Sequence, residues 1–320
     1  MGKRQSKIGN RKSQIGKGVT DISRSLSGAA AVLAATIEET IASKGKPKLA
    51  EGELGYVKPS SLAKGCMLYI ALELKGTPKA EIDPRVQRIL EVGTASHNRI
   101  PRYFARLTAA REMFFQDEEY RLHGYADALV YVPPERGADL AGFYVVEVKT
   151  TGNTEFERLV AEGRPKDEHW RQCQIYIWGI LRYYKTIPIQ GGIILYENRD
   201  TLEHALFNVA YDAAAMEELM GRVKAMLAAL AQGEMPDDTL PLDHWAHGYC
   251  PYLSLCSPGQ AAVAWQKEHR PAIPETVMAG VIAKRIVAKQ RQAAADGADK
   301  TPARPRQRSL DELATAFGWE

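Results

Sequence analysis

GYADALVYVPPERGADLAGFYVVEVKTTG, residues 124–152, sets a lone aspartate at the head of one apolar run and Glu-Val-Lys at the tail of another. The runs 128–132 and 143–146 read as two short strands. Pro133, Pro134 and Gly137, among charged and polar residues, mark the connection. Paired antiparallel with Val132 opposite Phe143, the strands bring Asp127 opposite Val148, within reach of Glu147 and Lys149. Side chains alternate along a strand, so Glu147 and Lys149 point one way while Val148 points into the core. Two carboxylates and an ammonium then converge on one spot. A surface salt bridge at a hairpin end is the plainer alternative.

Around this stretch the rest of the chain supplies a frame. Helical periodicity marks 60–74, 85–110, 168–184 and 213–231, and strands are expected at 113–116, 121–125, 192–196 and 204–209. Helices flanking a mixed β-sheet make an α/β or α+β domain. The folded body spans 55–260, after a basic and helical extension over 1–54 and before a helical and basic tail over 261–320. Residues 293–308 read as a linker. It leads into SLDELATAFGW, whose Leu310, Leu313 and Phe317 share a helical face, as a docking peptide for a protein partner or a frayed terminal helix would.

The chain has 320 residues and a formal charge of +3, enough length for one large domain or two small ones. The charge is uneven. Residues 1–25 carry seven Lys/Arg against one Asp, and residues 284–308 carry eight against two Asp. Basic ends suit a polyanionic partner, although solvated tails have the same composition. No apolar stretch has the length of a membrane span, and the basic N-terminus lacks the apolar core of a signal peptide. A soluble, cytoplasmic protein is expected. Its four cysteines do not suggest a secreted disulfide scaffold.

Two further segments join the opening stretch. In DEHWRQCQIYIWGILRYY, residues 167–184, His169, Gln172 and Tyr176 lie at i, i+3 and i+7 and form a polar stripe. Trp170, Cys173, Ile177, Ile180 and Tyr184 form the neighbouring apolar stripe. In EVGTASHNRI, residues 91–100, His97 follows Gly93 by four. The order Gly93-x3-His97, Gly124-x2-Asp127, Glu147-x-Lys149, Gln172-x3-Tyr176 resembles the PD-(D/E)XK nuclease superfamily. More narrowly it looks like the RecB-like exonucleases, including the CRISPR-associated RecB-like family and phage relatives. The resemblance covers about 60–256. It implies a mixed sheet flanked by helices, with His97, Asp127 and Glu147 on a divalent metal. It also implies that Lys149 orients the attacked phosphate, and that Gln172 and Tyr176 shape the site.

Elementary chemistry points the same way. A phosphodiester is anionic and a poor electrophile, so its cleavage needs charge neutralisation and an activated water. Carboxylate oxygens suit Mg²⁺ or Mn²⁺, and an imidazole tilts the set toward Mn²⁺. Such an ion acidifies bound water and stabilises charge developing on the phosphoryl oxygens. A lysine can hold the water or the scissile phosphate.

The end of the body reads HGYCPYLSLC, residues 247–256. RecB-like enzymes that carry an iron–sulfur cluster have one cysteine before the nuclease core and a C-x2-C-x5-C run after it. By that resemblance Cys66 stands first, Cys250 and Cys256 form the x5 pair, and His247 occupies the remaining place. Histidine can replace thiolate on iron, and three Cys with one His equally suit Zn²⁺. The expected role is a structural staple, with a 4Fe-4S cluster or Zn²⁺ as cofactor. Packed cysteines with no metal are the alternative, and Cys173 reads as a core residue.

The leading expectation is a Mg²⁺- or Mn²⁺-dependent deoxyribonuclease, an exonuclease acting on DNA ends or single strands in replication, recombination or defence. Two rivals share these features: a DNA-binding or adaptor subunit with little hydrolysis, and a structure-specific endonuclease. The converging carboxylates weigh against a pure binding module, which has no need of them near a polyanion.

Overall fold

The structure is a computed structural model that describes residues 28–42 and 53–269. The basic end regions and the 310–317 peptide face lie outside the described residues. The chain divides into two compact units, Met1–Ala264 and Trp265–Glu320; of the second, only Trp265–His269 are described.

Five strands form one sheet in the order β1 (Thr108–Asp117), β2 (Leu122–Val132), β3 (Gly142–Thr151), β4 (Ile189–Asn198) and β5 (His204–Val209). Only the β3–β4 pair is parallel, so the sheet is mixed. Parallel neighbours need a crossover, and α5 (Asn153–Glu162) and α6 (Asp167–Tyr184) supply it. Preceding the sheet are α1 (Gly28–Ala42), α2 (Pro59–Leu62), α3 (Met67–Leu74) and α4 (Pro84–Arg99); α7 (Ala213–Ala231) and α8 (Ser257–His269) follow it.

The central strand is buried on both faces, which is why 143–146 is uninterruptedly apolar. Val145 joins a core with Cys173, Ile177 and Ile180 of α6 and with Met216, Met220 and Val223 of α7. Val146 and Val148 join a smaller core with Ala128, Val130, Leu195 and Ile100, just beyond α4. Gly179 of α6 lies so close to the Phe115 ring of β1 that a β-carbon there would overlap it. Helix α6 starts after Pro165, carries Asp167 and Glu168 in its first turn and Arg182 in its last, and stops at Lys185 in the left-handed region. Those charges complement the helix dipole.

Five sequence expectations need correcting. The periodic stretch 60–74 is two helices, because Gly65 takes a φ of +75° between them. The helix expected over 85–110 ends at Arg99 in a 3₁₀ turn containing Pro101, and the chain is already in β1 at Thr108; proline has no N–H for the next turn of α-helix. Residues 122–125 and 128–132 fall within the single strand β2, which Arg121 immediately precedes. Finally, the hairpin is displaced by one residue, with Val132 opposite Gly142 and Tyr131 opposite Phe143. The ladder ends at Ala128–Val146, and beyond it Asp127 meets the Val148 backbone N–H through its side chain. The connection contains two 3₁₀ turns and returns through Gly142 at φ +148°, a geometry that residue types alone do not specify. The strand also does not end at the charges: β3 continues through Thr151.

Candidate active site

Glu147 and Lys149 leave β3 on the side covered by α6, where Gln172 meets them both. Lys149 Nζ lies 2.6 Å from Glu147 Oε1 and donates to Gln172 Oε1 at 2.9 Å. Gln172 Nε2 donates to Glu147 Oε1 at 2.9 Å and to the Tyr176 hydroxyl at 3.3 Å. One amide therefore holds the carboxylate with its nitrogen and the ammonium with its oxygen. Asp127 stands on the other side. Its Oδ2 accepts the Val148 backbone N–H at 2.6 Å and its Oδ1 faces His97 Nδ1 at 2.7 Å. The structure thus brings His97, Asp127, Glu147, Lys149, Gln172 and Tyr176 into one cluster.

Glu147 is 1 % exposed, and its Oε2 is buried with no hydrogen-bond partner. Burial pushes its carboxyl up to about 7; Lys149 opposes this and the charge of Asp127 adds to it. A buried carboxylate with an open oxygen beside a second carboxylate is short of positive charge. His97 is held above the ordinary imidazole range: burial works against its charge, but the hydrogen bond and charge of Asp127 outweigh it. Tyr176 is pushed well above the usual phenol range, chiefly by burial and then by Glu147.

One residue outside the expected set, Glu197, braces this cluster. Glu197, at the end of β4, is 2 % exposed. It accepts from Arg99 Nη2 on both oxygens at 2.6 Å and from Ser96 at 3.2 Å. Ser96 and Arg99 bracket His97 on α4, so this carboxylate ties the His97 turn to the sheet. Its signal was a lone Glu closing the apolar run GGIILYEN, the same pattern that drew attention to Glu147. His169, the first member of the polar stripe on α6, has its Nδ1 2.7 Å from the Tyr196 hydroxyl.

Cys66, His247, Cys250 and Cys256 line a separate cleft of about 760 Å³, which Lys64 and Tyr69 also border. Burial raises the Cys66 thiol, and the neighbouring Cys250 and Cys256 raise it further. Soft thiols facing one space match iron or zinc in donor chemistry. As placed, they do not form a closed ligand set. His247 Nε2 lies 2.9 Å from the Pro241 carbonyl and 3.2 Å from that of Leu240, and Cys256 Sγ accepts the Gly259 N–H. Among the described residues, no group of three or more His, Cys, Asp or Glu is arranged ready to hold a metal ion, the carboxylate cluster included. Cys173 is a fully buried core residue on the inner face of α6. Among the described residues, no helix is long and apolar enough to cross a membrane.

The model of the PD-(D/E)XK nuclease superfamily matches residues 31–257. Among solved structures, the chain is similar to an alkaline exonuclease (LHK-Exo) from Laribacter hongkongensis. The identity is 19 % and the TM-score 0.42, covering 57 % of this chain and 90 % of that one. The same exonuclease in complex with dAMP matches at 19 % identity and TM-score 0.42, covering 56 % and 90 %. SSO0001 matches at 17 % identity and TM-score 0.41, covering 72 % and 96 %. No curated protein matches the sequence.

Proposed function

Because the chain belongs to the PD-(D/E)XK nuclease superfamily, we propose that it is a divalent-metal-dependent deoxyribonuclease, an exonuclease that works from DNA ends or along single strands. The observation that carries the proposal is the open, buried Oε2 of Glu147 next to Asp127. It calls for a cation at the spot where Lys149 can also meet a phosphate. His97, Asp127 and Glu147 are the residues that would hold Mg²⁺ or Mn²⁺, with the imidazole favouring Mn²⁺. When bound, such an ion supplies charge neutralisation and a more acidic water.

The protein's own residues do the rest. Lys149, kept beside Glu147 by Gln172, presents a point charge to a phosphoryl oxygen. Gln172 holds the Glu147–Lys149 ion pair in place, because it engages each partner from its own end of the amide. Tyr176 accepts from that amide and fixes its orientation. Asp127, locked to the Val148 N–H, keeps its second oxygen toward His97. We further propose that Cys66, Cys250 and Cys256, with His247, staple the body around an iron–sulfur cluster or Zn²⁺ once their side chains turn into the shared cleft.

End-labelled linear DNA and a covalently closed circle, each single- and double-stranded, test the assignment with Mg²⁺ and with Mn²⁺. Metal-dependent release of label from linear DNA alone, lost in Glu147→Ala, is the expected result. Cleavage of the circle would make the protein an endonuclease, and cleavage surviving Glu147→Ala would remove the site.

A further inference from the structure

Tyr196 of β4 is the ladder partner of Lys149, and its fully buried side chain joins the core on the α6 side of the sheet. Its hydroxyl oxygen accepts the backbone N–H of Lys166 at 3.2 Å, the residue that caps α6. His169 Nδ1 lies 2.7 Å from the same oxygen. The Lys166 N–H can only donate, and the hydroxyl has one proton to place. Nδ1 is the acceptor within reach of that proton among the described residues, and a buried hydroxyl proton left unmatched is unfavourable. Tyr196 therefore donates to Nδ1, and the imidazole carries its own proton on Nε2.

That Nε2–H is open. The nearest carboxylate oxygen, Glu168 Oε1, is 3.6 Å away, beyond hydrogen-bond range, and the His169 side chain keeps 19 % of its surface exposed. His169 sits one helical turn before Gln172, which holds Lys149, and Lys149 is near enough for its charge to act on the imidazole. We infer that His169 is a substrate-contacting residue whose Nε2–H donates to a non-bridging phosphate oxygen of the DNA strand held at Lys149, a role that rests on the nuclease reading above. The imidazole remains uncharged in it: burial, with the charges of Lys149 and Lys166, drives His169 down to about 2. An uncharged donor adds a directed contact without placing a second cation against Lys149.

Two measurements test this in metal-free protein, so cleavage is not the readout. In ¹⁵N-histidine spectra at neutral pH, the resonances lost in His169→Gln should be those of an Nε2–H tautomer, and Tyr196→Phe should mix the tautomers. In EDTA, anisotropy of a fluorescein-labelled oligonucleotide should show about tenfold weaker binding by His169→Ala. Gln, whose amide nitrogen can stand in for Nε2, should restore part of the loss. The salt dependence of binding should keep the parent slope in both His169 variants, while Lys149→Gln lowers it by about 0.7 for one phosphate contact on a single strand. An Nδ1–H or charged imidazole, parent-like affinity in a folded His169→Ala, a slope lowered as by the lysine variant, or no binding by the parent would each overturn the assignment. Failure of metal-dependent cleavage alone would remove the nuclease reading and leave these measurements standing.

Discussion

Val148 donates its backbone N–H to Asp127 Oδ2 at 2.6 Å, so the aspartate is held by the residue that separates Glu147 from Lys149. The core side chain of Val148 and the charged cluster are thereby coupled: the apolar face fixes the strand, and the strand fixes the carboxylate.

Asp127→Ala, Glu147→Ala and Lys149→Ala should each lower cleavage by about a hundredfold or more, since each removes an electrostatic element aimed at the phosphate. Circular dichroism and thermal unfolding should show a retained fold. Activity close to the parent's in any of the three takes that residue out of the site.

His97→Ala should raise the metal concentration needed for activity by about tenfold or more while leaving DNA binding in EDTA near the parent's. A Mn²⁺ titration of the rate reads this directly. An unchanged midpoint would make His97 only a hydrogen-bond partner of Asp127.

Glu197→Gln should loosen the end of α4. The variant keeps the shape of the side chain but gives up the charge that Arg99 meets twice, at a cost of about 1–3 kcal/mol. Hydrogen exchange should accelerate at Ser96–Arg99 before it does in the sheet. Uniform acceleration, or none, would show that this carboxylate does not specifically anchor the His97 turn.

Gly179→Ala should destabilise the protein by about 1–3 kcal/mol, the usual range for overpacking a filled core. The added methyl meets the Phe115 ring, which is fully buried. Chemical denaturation compares it with Gly163→Ala, where no atom lies near the added carbon but φ is +66°, so that variant reports backbone strain without a clash. Equal stability of Gly179→Ala and the parent would mean that α6 and β1 can part without cost.

Anaerobically isolated protein should contain iron or zinc in stoichiometric amount, and Cys250→Ser should lose the metal and unfold at lower denaturant. Iron would show as visible absorbance, and His247→Cys should hold it at least as well. Protein free of both metals, with Cys250→Ser as stable as the parent, would leave packed thiols beside the cleft.

Much of this was legible in residue order. Periodicity located α6, α7 and β5, because an amphipathic helix or a half-buried strand writes its own period into the chain. The spacing of Glu147 and Lys149 put them on one face whatever the strand paired with. Tertiary structure decided the rest. The register of β2 against β3 depends on a connection with two 3₁₀ turns and a left-handed glycine. The buried state of Glu197, and the partners that satisfy it, come from α4 and β5 folding over the end of β4. The proton on His169 is placed by a tyrosine from β4 and a backbone N–H from the helix cap. Local sequence sets which face a side chain takes, because that follows from bond geometry. Which charge is desolvated, and which donor is left open, follows from surfaces that meet only when distant segments pack together.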